Sequence, residues 1–458
     1  MVEAHTPDWK RTCFLCLLSV LTAAAVHAQT FTTLVNFDGT NGQSPVYGSL
    51  IQGTAGDLYG TTVAGGASGT GTIFGMTTQG QLKSLASLDT ADGYFPENGL
   101  ALALNGMFYG TASNGGANGF GTVFQVTPKG TVTVLHSFDV TDGFNPYSGL
   151  SLAFNGLLYG TTLDGGASGS GTVYQITPGG TLTTVHSFSG SDGSYPVSAP
   201  IQATNGMLYG TAQTGGAYGY GVIYTIGSGG AFTILHSFDY TDGGEPGAAL
   251  VQGTDGDFYG TTIGGGAQGD GTVFRITPAG TLTTLHSFHV TDGATPNGGL
   301  IQGTDGNFYG TTEADGANSS GTIFQITPAG TLTTLHSFSS SEGQNPWAGL
   351  VQHTDGNFFG TTWGGGSSNM GTVFRLSMGL GPFVRTIAPF GKVGEAVTIL
   401  GTDLTGATSV TFNGTPASFT VVSPSAITTA VPAGATSGTI QVVTPAGTLS
   451  SNVPFQVL

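Results

Sequence analysis

The chain has 458 residues, a formal net charge of −17 and 81 glycines. Beyond the first 28 residues its only basic side chains are Lys83, Lys129, Arg275, Arg375, Arg385 and Lys392, too sparse for the clustered cations that hold phosphate backbones or anionic lipid, which excludes nucleic acid as a partner. Abundant Phe, Tyr, Leu and Val beside the glycines exclude a disordered chain and predict many short strands.

Residues 1–28 read as an export signal: Lys10 and Arg11 precede an apolar run from Cys13 to Val26, and small residues close it at Ala28. The run is too short to span a bilayer, and no later stretch reaches the roughly 20 apolar residues that a crossing needs, so no membrane insertion is expected. Cys13 and Cys16 fall in the segment to be removed, so the exported chain is expected to lack both disulfides and reactive thiols. The chain is expected to be secreted or held at the cell surface, as a monomer.

From residue 29 to 378 one unit recurs every 50 residues, marked by Gly60, Gly110, Gly160, Gly210, Gly260, Gly310 and Gly360. A fixed period of this size points to a propeller or a solenoid. In the unit that starts at Gly299, β-rich runs lie near residues 299–303, 307–312, 321–327 and 331–338, with Asp305-Gly306 and Ala329-Gly330 in short hairpin links. The ends decide between the two architectures. The exported chain opens on a lone copy of the fourth strand, Thr30 to Phe37, and the last repeat stops after its third strand, residues 371–377. Sharing one repeat between both ends closes a ring and removes exposed sheet edges, which predicts a seven-bladed β-propeller with four-stranded blades. The longer links, such as residues 314–320 and 339–348, gather on one face, the natural ligand face.

The period ends near Met378. Residues 379–458 read as a small immunoglobulin-like β-sandwich, with strands expected near residues 397–400, 410–412, 419–422, 439–443 and 453–457.

The motifs DGNFYGTT and GTxFxITPxGTLTTLHSF, renewed in each unit across residues 30–377, resemble the Gloeo/Verruco (GloVer) tandem repeat of exported bacterial proteins. The tail, with VTILGTDL at 397–404, VTFNGTPA at 410–417 and AVPAGATSG at 430–438, resembles an IPT/TIG domain. The resemblance implies an extracellular, surface-associated protein and carries over no catalytic residues.

Three sets of side chains invite a chemical reading. His136, His186, His236, His286 and His336 share one position on the fourth strand. Ring symmetry holds them too far apart to share a metal, so hydrogen-bonded packing is expected. Asp92, Asp142, Asp192, Asp242, Asp292 and Glu342 each precede a glycine in the crossing links. The plain reading is a side chain capping its own turn; the sharper one is Ca²⁺ at the paired acids Asp89 with Asp92, Asp139 with Asp142, and Asp239 with Asp242. Calcium is the one cofactor with a place in the sequence. The third set is aromatic: Trp347, Trp363, Tyr218, Tyr220, Tyr195, Phe144 and Tyr147, with Phe95, all fall in ligand-face loops. They suit either stacking on sugar rings or packing between blades. Loops such as Gly65-Gly66-Ala67 lack the following Lys and helix of a phosphate cradle and read as turns. The singular residues His353, Glu313 and Asp315 form no recognisable set.

Taken together, these features predict an exported, non-enzymatic binding or adhesion protein that offers a loop face to an extracellular polysaccharide or a protein. The alternative is an extracellular carbohydrate-active propeller enzyme, a hydrolase or lyase.

Overall fold

The computed structural model describes residues 29–458. The leader expected over residues 1–28, with Cys13 and Cys16, lies outside the described residues. Within them there are strands and turns and no helix.

Residues 30–377 form seven four-stranded antiparallel sheets. In the unit from Gly299 the strands are Ile301–Gln302, Phe308–Thr312, Thr322–Ile326 and Leu332–Ser337, paired in chain order. The second and third are buried almost throughout because neighbouring sheets cover both their faces, and so they are apolar or small without strict alternation. The fourth is exposed at Thr333 and Thr334 and half-buried elsewhere. The glycine that marks each period permits a close approach: a Cβ on Gly310 would stand 2.6 Å from the ring of Phe324. Between sheets, Tyr259 lies on Phe308 of the next blade at 3.9 Å, and Tyr309 on Phe358 at 4.2 Å. Each such buried ring contributes roughly 1.5 to 3 kcal/mol.

The inner strand is shorter than the run at 299–303 suggested. Its preceding glycines do not pair within the sheet but let adjacent links meet backbone to backbone around the axis, and a Cβ on Gly349 would lie 2.6 Å from the carbonyl oxygen of Gly299.

The two ends of the repeat region share a sheet. Thr30–Asn36 pairs with Thr372–Ser377, from Thr30 opposite Ser377 to Asn36 opposite Thr372, with a register shift between Thr33 and Val35. On the axis side, glutamines at the inner strand link consecutive blades: Gln302, Gln352 and Gln52 accept the amides of Thr254, Thr304 and Thr354 at 3.0 to 3.1 Å. The last of these runs from the final blade to the first and closes the ring.

The C-terminal sandwich packs one sheet, Arg385–Thr386, Ala396–Leu400, Ala426–Ala430 and Phe419–Ser423, against another, Thr415–Pro416, Ser409–Phe412, Ile440–Thr444 and Gly447–Ser450. Its core includes Ile399, Phe412, Ile427, Val442 and Phe455. The strands at 426–430 and 447–450 are not anticipated from the sequence, because AITTA and GTLS each carry a single large apolar residue among small and polar ones. The run expected at 453–457 is strand only at Gln456–Val457, which pairs in parallel with Phe390–Gly391.

The sandwich sits against the hairpins that join inner and second strands. Ser425 Oγ donates to the Thr54 carbonyl at 3.0 Å, Thr402 Oγ1 lies 3.0 Å from Thr354 Oγ1, and Phe390 packs on Phe154 at 4.5 Å. The opposite face, which carries the long loops, is left uncovered by it.

Candidate functional site

On the loop face, two columns of the repeat contribute to the mouth of the axis. One comes from the crossing links and reads Tyr47, Glu97, Tyr147, Val197, Gly247, Asn297, Trp347; the other follows each second strand and reads Val63, Ser113, Leu163, Gln213, Ile263, Glu313, Trp363. Members of both line an axial cavity of about 630 Å³, among them Tyr47, Tyr147, Leu163, Val197, Gln213 and Ile263. Both columns vary from repeat to repeat, as expected where the scaffold is fixed and the ligand is not.

Four rings form a continuous stack here. Trp363 lies on Trp347 at 5.2 Å with planes 17° apart, Trp347 on Tyr47 at 5.3 Å and 17°, and Tyr47 on Tyr147 at 5.2 Å and 51°. Trp363, the outermost, is 39% exposed. Trp347 is half-buried, and its indole N–H is enclosed without a protein acceptor among the described residues. A packing residue would normally satisfy that donor.

Tyr47, which the sequence reading passed over, is placed by an insertion. Val46-Tyr47-Gly48-Ser49 separate Pro45 from Leu50, where Glu97-Asn98-Gly99 separate Pro96 from Leu100. The added residue pushes a ring towards the axis and has a local cost. In other blades a threonine of the second strand donates to the next link, as Thr61 does to the Asn98 carbonyl at 2.9 Å and Thr311 to that of Ala348 at 2.9 Å. The equivalent hydroxyl of Thr361, facing the lengthened link, has no partner.

Glu97 sits beside Tyr47 and Tyr147, and burial raises its carboxyl to about 7. Burial likewise raises the phenols of Tyr47 and Tyr147, which therefore stay protonated. Glu313 is anchored by Asn297, whose Nδ2 donates to Oε2 at 2.7 Å.

The other predicted aromatics lie apart from this stack. Tyr218 is 63% exposed, Tyr220 packs on Tyr240 at 4.8 Å, Phe144 on Phe120 at 5.6 Å, and Phe95 on Tyr94 at 4.9 Å. Tyr195 takes a positive φ of 55° in its link, its backbone held between Ser170 and Gln213. Of the seven predicted ligand residues, the structure thus brings together Tyr147, Trp347 and Trp363.

The acidic links are turn caps. Asp139 Oδ1 accepts the amides of Thr141 and Asp142 at 2.7 and 3.2 Å, while Asp142 Oδ1 accepts the Asp139 amide at 2.9 Å and Oδ2 meets His136 Nε2 at 2.7 Å. Asp239 and Asp242 repeat this with His236 at 2.8 Å. Asp89 accepts from Ala91 and Asp92, and there Ala86 replaces the histidine. A cation at these pairs would compete with hydrogen bonds already made. Among the described residues no three or more His, Cys, Asp or Glu side chains are grouped to hold a metal ion. Four of the repeated histidines are thus bound to aspartates, while His336 Nε2 stands 3.5 Å from Glu342 without a hydrogen bond, and they pack on rings, His186 lying on Phe232 of the next blade at 3.9 Å.

The singular residues are separate from one another. His353 donates from Nε2 to the Gly56 carbonyl at 3.0 Å on the sandwich side of the ring, and Asp315 holds a positive φ of 62° in a loop.

A closed ring of four-stranded sheets joined to an immunoglobulin-like sandwich defines a β-propeller protein. The chain belongs to the Gloeobacter/Verrucomicrobia repeat family, whose profile matches residues 21–204 and 197–419, and residues 382–457 match the IPT/TIG domain. No protein of curated function matches it in sequence. Similar solved structures include a fungal alcohol oxidase of the AA5 family in complex with copper, 14% identical, covering 91% of this chain and 98% of that one with a TM-score of 0.49. Others are a gluconolactonase from Xanthomonas campestris (13% identity, 61% and 84% coverage, TM-score 0.40) and a putative 6-phosphogluconolactonase from Bacteroides uniformis (14%, 69% and 91%, 0.47). At such identity none of their chemistry carries over.

Proposed function

We propose that this is an exported, non-enzymatic binding protein that offers the loop face of its propeller to a glycan. The observation that carries this reading is the four-ring stack from Trp363 to Tyr147 on the face the sandwich leaves uncovered. Trp363 uses one face on Trp347 and keeps exposed surface, and sugar rings stack on such indoles through their apolar C–H faces. The export pattern at residues 1–28 and the acidic surface fit a site of action outside the cell. A glycan and polysaccharide binding screen on residues 29–458 tests the reading. Binding that falls at least tenfold in Trp363→Ala supports it; a screen with no ligand, or binding indifferent to that substitution, overturns it.

A second reading, a carbohydrate-active hydrolase or lyase, draws on Glu97, whose proton is held to about pH 7 beside two tyrosines at the same mouth. It requires sugar release that is lost in Glu97→Gln.

A further inference from the structure

The sandwich puts a cation into the propeller. Arg385 opens its first strand, paired with Leu400, and the preceding Phe383 amide donates to the Thr354 carbonyl at 3.0 Å, which holds the segment against the propeller. From there the Arg385 side chain lines the axial cavity at about 630 Å³, with Ile51, Ser151, Ile201 and Val351 of the inner strands. It also borders the cavity between propeller and sandwich.

This guanidinium has almost nothing to bind. Among the described residues its one hydrogen bond is from Nη2 to the Gln52 carbonyl at 3.5 Å, the limit of a useful contact. No carboxylate lies within ion-pair distance among the described residues; by contrast Arg275 has Asp257 at 3.6 Å. Asp255, the carboxylate that borders the neighbouring cavity, is engaged by the Tyr259 hydroxyl at 2.7 Å. Burial lowers the group only to about 10, so it remains charged at any physiological pH. Arg385 keeps intermediate exposure, so the cavity partly desolvates a cation that has no charged partner to offset the loss of water. Five N–H donors in a rigid fork fit the oxygens of a carboxylate, phosphate or sulfate, and the cavity has the volume of an ordinary small-ligand site.

We propose that the axial cavity is an oxyanion site in which Arg385, supplied by the sandwich, pairs with the carboxylate of a small organic acid or with an inorganic oxyanion. Tyr47 and Tyr147 of the aromatic stack line the same cavity, but the oxyanion contact is made by Arg385 and requires none with Trp363. It also makes the sandwich a functional part of the propeller rather than an appendage.

The test is calorimetry and thermal melting of residues 29–458 at constant ionic strength, with inorganic phosphate, sulfate, glucuronate and, as a neutral control, glucose. An oxyanion is expected to raise the melting temperature in proportion to the logarithm of its concentration, because it binds the folded state alone. Arg385→Met should weaken that binding at least tenfold, and Arg385→Lys should fall between, retaining charge without the fork. Without ligand, Arg385→Met should melt no lower than the parent, because the uncompensated charge is gone. A response to glucuronate alone identifies an organic acid; a response to all three identifies a general oxyanion site. The proposal is overturned if no oxyanion shifts melting up to about 50 mM, or if Arg385→Met responds as the parent does.

Discussion

Gln52 and Thr354 are 302 residues apart in sequence and joined by two hydrogen bonds: Gln52 Nε2 donates to Thr354 Oγ1 at 2.8 Å, and the Thr354 amide donates to Gln52 Oε1 at 3.1 Å. Both side chains are fully buried, so Gln52→Ala leaves the Thr354 amide without a partner and its hydroxyl with Thr402 Oγ1 alone. A loss of about 1 to 3 kcal/mol is expected. Urea unfolding of residues 29–458 measures it, and an unchanged midpoint would show that the ring does not depend on this junction.

The second closure is the strand Thr30–Asn36, which covers the edge of Thr372–Ser377 and leads into the fully buried Phe37. Deleting residues 30–37 exposes that edge and empties the Phe37 site, so unfolding at clearly lower denaturant, or aggregation, is expected. Phe37→Ala alone should cost about 3 to 5 kcal/mol. A deletion that unfolds with the parent midpoint would contradict ring closure as a source of stability.

Chelator is expected to leave the melting temperature unchanged. Asp139 and Asp239 already accept turn amides through Oδ1, and Asp142 and Asp242 each accept an amide and meet His136 or His236. If EDTA does lower it, Asp139→Asn with Asp142→Asn should abolish part of the shift, and the paired acids then hold calcium.

Glu97 gives the fold a pH dependence of defined sign. Its carboxyl is raised from 4.5 to about 7 by burial, so the folded state holds the proton more tightly than the unfolded chain. The stability it contributes is complete below pH 4.5 and is lost as pH rises through 7. Because the residue keeps some exposure, the change is roughly 1 to 3 kcal/mol. His186 and His336, lowered by burial despite their acid partners, act in the opposite sense, since their contribution is present above 6.5 and lost as pH falls. The difference between parent and Glu97→Gln isolates the carboxyl: the variant should be the more stable at pH 8 and about equal near pH 4. A flat difference across that range would place Glu97 in water.

The repeat made the fold legible because every blade restates the same steric needs: glycine under the Phe324 type of ring, buried second and third strands, and a fourth strand with threonines outward. The axial mouth was only half legible. Trp347 and Trp363 stood out as rare residues, but Tyr47 arises from a one-residue insertion that shifts the first link against the period, and Glu97 is an ordinary acid until its neighbours are in place. Arg385 was beyond reach, because its role depends on how the sandwich meets the ring and no local pattern encodes that junction.

The structure separates two tryptophans that the sequence treated alike. Trp347 is held between Trp363 and Tyr47, with both neighbours near 5 Å, so removing it opens a gap in the stack and loosens the mouth of the axis. Trp347→Ala should therefore lower stability by about 3 kcal/mol, the lower end for emptying a buried aromatic site, because the residue is only half-buried. Trp363 terminates the stack and is 39% exposed, so Trp363→Ala should shift the unfolding midpoint little while removing the ring that a sugar would meet first. Trp347→Phe keeps a ring in the gap and should recover most of the stability. Urea midpoints together with affinity for whichever polysaccharide the screen identifies distinguish the two roles. Equal destabilisation by both alanine substitutions, with no change in affinity, would make the whole stack a packing device and remove the glycan platform from this face.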